Sequence, residues 1–105
     1  MNALLNIGAD RKDGPMVTAA EIAKVFYRLD VRALRHEVRE PQHNGDELTH
    51  VVHVHRWNKD KAMRISELLG QDCIAQYDLD KCEGALIGPR ADKWGEFNPQ
   101  FFKLL

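Results

Sequence analysis

The five histidines, His36, His43, His50, His53 and His55, are the residues of this 105-residue chain best suited to chemistry near neutral pH. His53 and His55 lie two apart in a run, Leu48 to His55, where Val51, Val52 and Val54 favour extended backbone. Residues two apart on a strand share one side, so these imidazoles point the same way. Asn44-Gly45, just upstream, is a hairpin-turn signal because both residues tolerate positive φ. Counting outward from a two-residue turn sets His36 opposite His53 and Leu34 opposite His55. Directly opposed residues hold their Cβ atoms about 4.5–5.5 Å apart, so His36, His53 and His55 would converge. Three imidazoles with one open position suit zinc, which generates a hydroxide near neutral pH. The competing reading is a solvated or interface face. Pro41 and the polar residues around the turn can shift the register, and a slip of one residue would separate His36 from the pair. No acidic residue is identifiable as the group orienting the ligands. The expectation is therefore no resident cofactor, with zinc at His36, His53 and His55 as the alternative.

Other candidates carry less. Asp78-Leu79-Asp80 has the spacing of two carboxylates sharing a magnesium ion that carries phosphate. With an N-terminal strand and a Gly-Ala-Asp loop, it faintly resembles the ferredoxin-like pyrophosphokinase of folate synthesis. That enzyme needs a longer chain and basic residues for the triphosphate, whereas here Gly88-Pro89-Arg90 follows the pair. Asp and Lys are also ordinary hairpin-tip residues. Cys73 and Cys82 read as reduced thiols: in a hairpin, Cys73 lies well up the first strand and Cys82 beside the turn, so the sulfurs do not meet. No histidine is near Cys82 in sequence, and neither cysteine reads as a nucleophile.

Arg28, Arg32 and Arg35 form one basic group; Arg56, Lys59, Lys61 and Arg64 form another. Sheets that bind RNA stack bases on aromatic side chains, whereas the middle strands here carry His and Val. With 15 basic and 16 acidic residues, a net charge of −1 supplies no global field for nucleic acid or an anionic membrane. Nucleic acid is not the expected partner.

The stretch from Ala91 to Leu105 carries Trp94, Phe97, Phe101 and Phe102 around Asn98-Pro99. Burying such side chains contributes about 1.5–3 kcal/mol each, so the stretch should not hang in water. It is expected to fold back over its own sheet or to dock on a second copy or another protein.

The elements that must position these residues follow from periodicity. Met1 to Ile7 is a short apolar strand, followed by a Gly- and Asp-rich loop to Pro15. Thr18-Ala19-Ala20-Glu21 is a capping box, with Val17 and Ile22 as its hydrophobic staple. Ile22, Val25, Phe26 and Leu29 then form one helical stripe. Val31 to Arg39 reads as a strand and pairs back with Leu48 to His55. Asn58 caps a second helix with Ala62, Ile65 and Leu69 on one side, and Gly70 stops it. Asp72 to Tyr77 and Gly84 to Ile87 are strands about an Asp78–Lys81 turn. The order implies an α+β domain of ferredoxin-like, split β-α-β plan over residues 1–90: an antiparallel sheet with two helices on one face and a short extra strand. Residues 91–105 form its aromatic tail. Hydrophobic residues at 44% suffice for a core, and no apolar run reaches the length of a membrane span. The short apolar start lacks a basic lead and does not read as a signal peptide. A cytoplasmic protein is expected.

The opening Met-Asn-Ala-Leu-Leu-Asn-Ile-Gly, the central Leu69-Gly70-Gln71-Asp72-Cys73-Ile74-Ala75 and the closing Gly88-Pro89-Arg90-Ala91-Asp92-Lys93-Trp94-Gly95-Glu96-Phe97-Asn98-Pro99 resemble short proteins of bacteriophages, prophages and other bacterial mobile elements. The resemblance spans most of the chain. It implies a bacterial cytoplasm and an accessory role, and it transfers no catalytic residue. The functional expectation is a non-enzymatic protein acting through a protein partner or a homodimer, with a small zinc-type module or hydrolase as the alternative.

Overall fold

The computed structural model describes residues 2–11, 13–39 and 48–97. Chain order is β1 (Ala3–Gly8), α1 (Ala19–Arg28), β2 (Arg32–Arg39), β3 (Thr49–His55), α2 (Asp60–Leu68), β4 (Ile74–Asp78) and β5 (Glu83–Ile87), followed by a 3-10 turn, Ala91–Trp94. The strands make one antiparallel sheet in the order β2-β3-β1-β4-β5. The fold is thus α+β, and among the described residues it has a five-stranded sheet and two helices. No helix among the described residues is long and apolar enough to cross a membrane.

Alternation along the strands sorts side chains between two faces. Ala3, Leu5 and Ile7 of β1 lie opposite Val54, Val52 and His50 of β3. These residues, apart from His50, pack with Ile74 against Ile22 and Phe26 of α1 and Ala62 and Ile65 of α2. Both helices therefore cover the same face. Trp57 also belongs to this core, its indole N–H donating to Gln76 Oε1. The opposite, open face carries a smaller cluster: Val51 and Ala75, with Leu4, Tyr77, Leu86 and Phe97 packed on them. No residue of β2 belongs to either cluster.

Helix ends follow local chemistry. Thr18 Oγ1 accepts from the Glu21 N–H, as the capping box requires. Asn58 Oδ1 accepts from the Asp60 N–H at the start of α2. Both helices finish in the same way. Gly70, at φ +67°, lets its own N–H reach Glu67 O while the Gln71 N–H reaches Ser66 O. In α1 Asp30 takes that left-handed position at φ 57°, with the Val31 N–H on Phe26 O.

Arg11 joins the loop after β1 to both helices. Its guanidinium grips Glu21 with bonds of 2.6 and 2.8 Å, and it also donates to Pro15 O at 2.6 Å and Leu69 O at 3.3 Å. The Arg11 hydrogen bonds hold the Glu21 carboxyl below its ordinary value, with its charge and the Thr18 backbone N–H adding to the effect. A carboxyl with a lowered folded pKa stabilises above its unfolded value of about 4.3, and that contribution is lost on acidification through the folded value. Solvent reaches both side chains, so the pair is only partly unscreened. Glu21→Gln is expected to cost about 1 kcal/mol at neutral pH. The difference from wild type should shrink at pH below the lowered value, as urea unfolding at the two pH values will show.

Candidate functional site

The β2–β3 ladder decides what the histidines can do. Arg39 lies opposite Thr49, Val38 opposite His50, Glu37 opposite Val51, His36 opposite Val52 and Arg35 opposite His53. A bulge between Ala33 and Arg35 then shifts the pairing, so that Ala33 meets Val54 and Arg32 meets His55. This register is one residue away from that of a two-residue Asn44-Gly45 turn. The expected pairing of His36 with His53 is thereby corrected: His36 stands on the helix-side face, and His53 and His55 on the open face. A one-residue slip moves a whole strand's side chains across the sheet. Asn44-Gly45, Pro41 and His43 themselves lie outside the described residues. Among the described residues, no three His, Cys, Asp or Glu side chains are grouped as metal ligands.

His36 instead meets His50, which sequence reasoning had not singled out. His50 Nε2 lies 3.0 Å from Val17 O, and a carbonyl can only accept, so Nε2 carries the proton. In neutral His50 the Nδ1 atom is then an acceptor, and His36 Nε2–H donates to it at 2.9 Å. The rings meet edge to face, with centroids 5.1 Å apart. His50 is buried and His36 half-buried. The chain His36–His50–Val17 ties β2 and β3 to the approach of α1. Burial pushes the His36 imidazole below its ordinary value, and the neighbouring His50 pushes it further. The arrangement satisfies a buried carbonyl and favours the neutral form of the His36 imidazole. The alternation His50, Val52, Val54 was the available signal, since it puts His50 with the inward valines.

On the open face, His55 Nδ1–H donates to Asn2 Oδ1 at 2.9 Å. His53 lies between Leu4 and Arg35, and its Nε2 is shielded with no hydrogen-bond partner among the described residues. Around it β2 presents an alternating charge row. Arg35 Nη2 is 2.5 Å from Glu37 Oε1, and Arg39 Nη2 is 3.2 Å from Glu37 Oε2.

The aromatic tail divides. Trp94 is 59% exposed, its indole N–H donating to Asp72 Oδ2 at 3.2 Å, while Arg90 Nε donates to Asp72 Oδ1 at 2.5 Å. The Arg90 hydrogen bond, seconded by the indole, holds the Asp72 carboxyl below its usual range. Phe97 folds back on the sheet, stacked on Tyr77 at 6.0 Å between centroids. It lies so close over Gly84 that a Cβ there would overlap its ring. Phe101 and Phe102 lie outside the described residues.

The remaining candidates are structural. Asp78 Oδ1 accepts from the Asp80 and Lys81 N–H groups, and Asp80 Oδ2 from the Asn2 N–H, so both carboxylates fasten the β4–β5 turn. Cys73 and Cys82 are not joined by a disulfide, and Cys73 precedes β4 rather than lying within it.

Comparison with protein-family models, curated proteins and solved structures finds no match.

The lowered His36 value gives a pH signature. The unfolded chain binds a proton at about pH 6.5 and the folded chain only at lower pH, so unfolding is favoured as pH drops below that value. Stability should fall between pH 7 and pH 5. In His36→Gln, where an amide N–H can still donate to His50 Nδ1, the fall should be shallower. Denaturant midpoints across that range measure the difference.

Proposed function

We propose that the protein is a non-enzymatic binding domain that engages a protein partner through the free edge of β2. The observation that carries this reading is that β2, eight residues long, contributes nothing to either core cluster. A strand of that length is expected to bury alternate side chains under a helix. Here Leu34 and Val38 remain 53% and 56% exposed. Among the described residues β2 stands at the end of the sheet order, paired with β3, so its other side is a strand edge. Such an edge takes an extended strand from another chain, with main-chain bonds supplying affinity and side chains supplying choice. Arginines on an edge usually discourage pairing. The Glu37 set between Arg35 and Arg39 changes that, because an alternating row attracts a matching alternating row.

The histidine geometry agrees with this reading, since His50 and His36 are committed to each other and to Val17. The ferredoxin-like plan is part of the proposal. Setting β5 aside as an added edge, the neighbours run β4-β1-β3-β2, with one hairpin between two strand–helix crossovers. That plan leaves β2 outermost, as partner binding requires. The bacterial cytoplasm implied by the mobile-element resemblance would be the place of action.

A photo-crosslinking residue at position 34 tests this in bacterial cells, with one at Met63 on α2 as the control. The proposal expects a protein adduct at position 34, identified by mass spectrometry, and none at 63. Absence of adducts at 34, or equal adducts at both, would count against it.

A further inference from the structure

The segment Leu34-Arg35-His36-Glu37-Val38 reads the same, in chemical terms, in both directions: apolar, charged, imidazole, opposite charge, apolar. We infer that the strand taken up by the β2 edge is β2 of a second copy, antiparallel, with His36 at the two-fold axis. This rests on the edge-binding reading above and names its occupant.

Two edge strands joined antiparallel by a two-fold axis perpendicular to the sheet keep the helices of both copies on one side, and opposed residues then share a face. With His36 opposite its own copy, Arg35 falls opposite the second copy's Glu37, and Glu37 opposite its Arg35. Leu34 falls opposite Val38, and Val38 opposite Leu34. Within each chain Arg35 already contacts Glu37. The four charges would thus form a square in which every neighbour has opposite sign. Opposed opposite charges and opposed apolar side chains each favour such pairing. The two apolar side chains are the exposed pair of β2.

Neighbouring registers fare worse. An axis at Arg35 sets two arginines face to face, and one at Glu37 sets two carboxylates face to face and Arg35 against Arg39. Both incur like-charge repulsion. An axis at Val38 pairs Glu37 with Arg39 but reduces the overlap to the end of the strand. Only the axis at His36 opposes unlike charges and apolar side chains through the whole segment Leu34 to Val38, which ends at the bulge between Ala33 and Arg35.

The test is a charge exchange read by sedimentation velocity on the full chain. Arg35→Glu leaves only carboxylates at positions 35 and 37, so two copies of that variant repel across the axis. Glu37→Arg leaves only guanidinium groups at the same two positions, with the same result. Each variant alone should self-associate about tenfold or more weakly than wild type. Mixed in equal amounts, they should associate with each other as tightly as wild type does with itself, because the carboxylates of one then meet the guanidinium groups of the other. The Arg35 side chain is 75% exposed, so its exchange should leave the fold unchanged, as circular dichroism will show. Val38→Lys, which faces Leu34 across the axis, is a second variant and should also weaken association.

A wild-type chain that stays monomeric overturns the inference, as do variants that associate as wild type does or a mixture that fails to recover. Crosslinks from position 34 to a different protein would, in that event, leave the edge-binding reading standing without the second copy. Loss of both results would remove both.

Discussion

The register between β2 and β3 governs every functional statement about this protein. Strand side chains alternate strictly, so the ladder that places His36 opposite Val52 also places Arg35 opposite His53. One choice thus directs one imidazole to the helix side and a row of charges to the open side. The hydrogen bonds from His36 to His50 and from His50 to Val17 O favour that choice over its neighbours. A slip by one residue would take His36 away from His50 and leave a buried polar atom without its partner, at a cost of about 1–3 kcal/mol. The bulge between Ala33 and Arg35 then absorbs an extra residue without disturbing Val54, which the core requires.

Much of the architecture was legible beforehand. The capping box at Thr18, the stripe of Ile22 and Phe26, and the glycine stop at Gly70 are local signals whose physics acts within a turn of helix. The valines of β3 and the apolar run of β1 announced strands because both become inner strands of the sheet. The hairpin register was not legible in the same way. It depends on how many residues the loop between β2 and β3 takes up, and a turn dipeptide specifies its own geometry rather than the ladder that follows. Three histidines that sequence spacing gathered are therefore divided between two faces. His50 was passed over for the opposite reason. Its partners, His36 and the Val17 carbonyl, come together only once the sheet has formed against the approach to α1.

The tail shows a similar split between composition and placement. Phe97 lies against Tyr77 and Gly84. Sequence could not distinguish Phe97 from Trp94, which stays 59% exposed with its indole tied to Asp72. Nor could it show that β2 would be excluded from the core. The two helices are short, at 10 and 9 residues, and the sheet is five strands wide. The core they cover draws its buried strand residues from β1, β3 and β4, with Ile87 of β5 at its margin and none from β2. A strand kept outside the core retains the ladder to β3, the histidine link and whatever meets its free edge.

The placement of His36 therefore fixes which side chains of β2 share each face. Nitrogen-15 NMR of histidine-labelled protein, at a pH above the histidine titration range, reads it directly. The structure predicts His50 protonated at Nε2, with a correlation across the hydrogen bond between His36 Nε2 and His50 Nδ1. Through-space contacts from the His36 ring to His53, with the His50 ring lacking that bond, would contradict it.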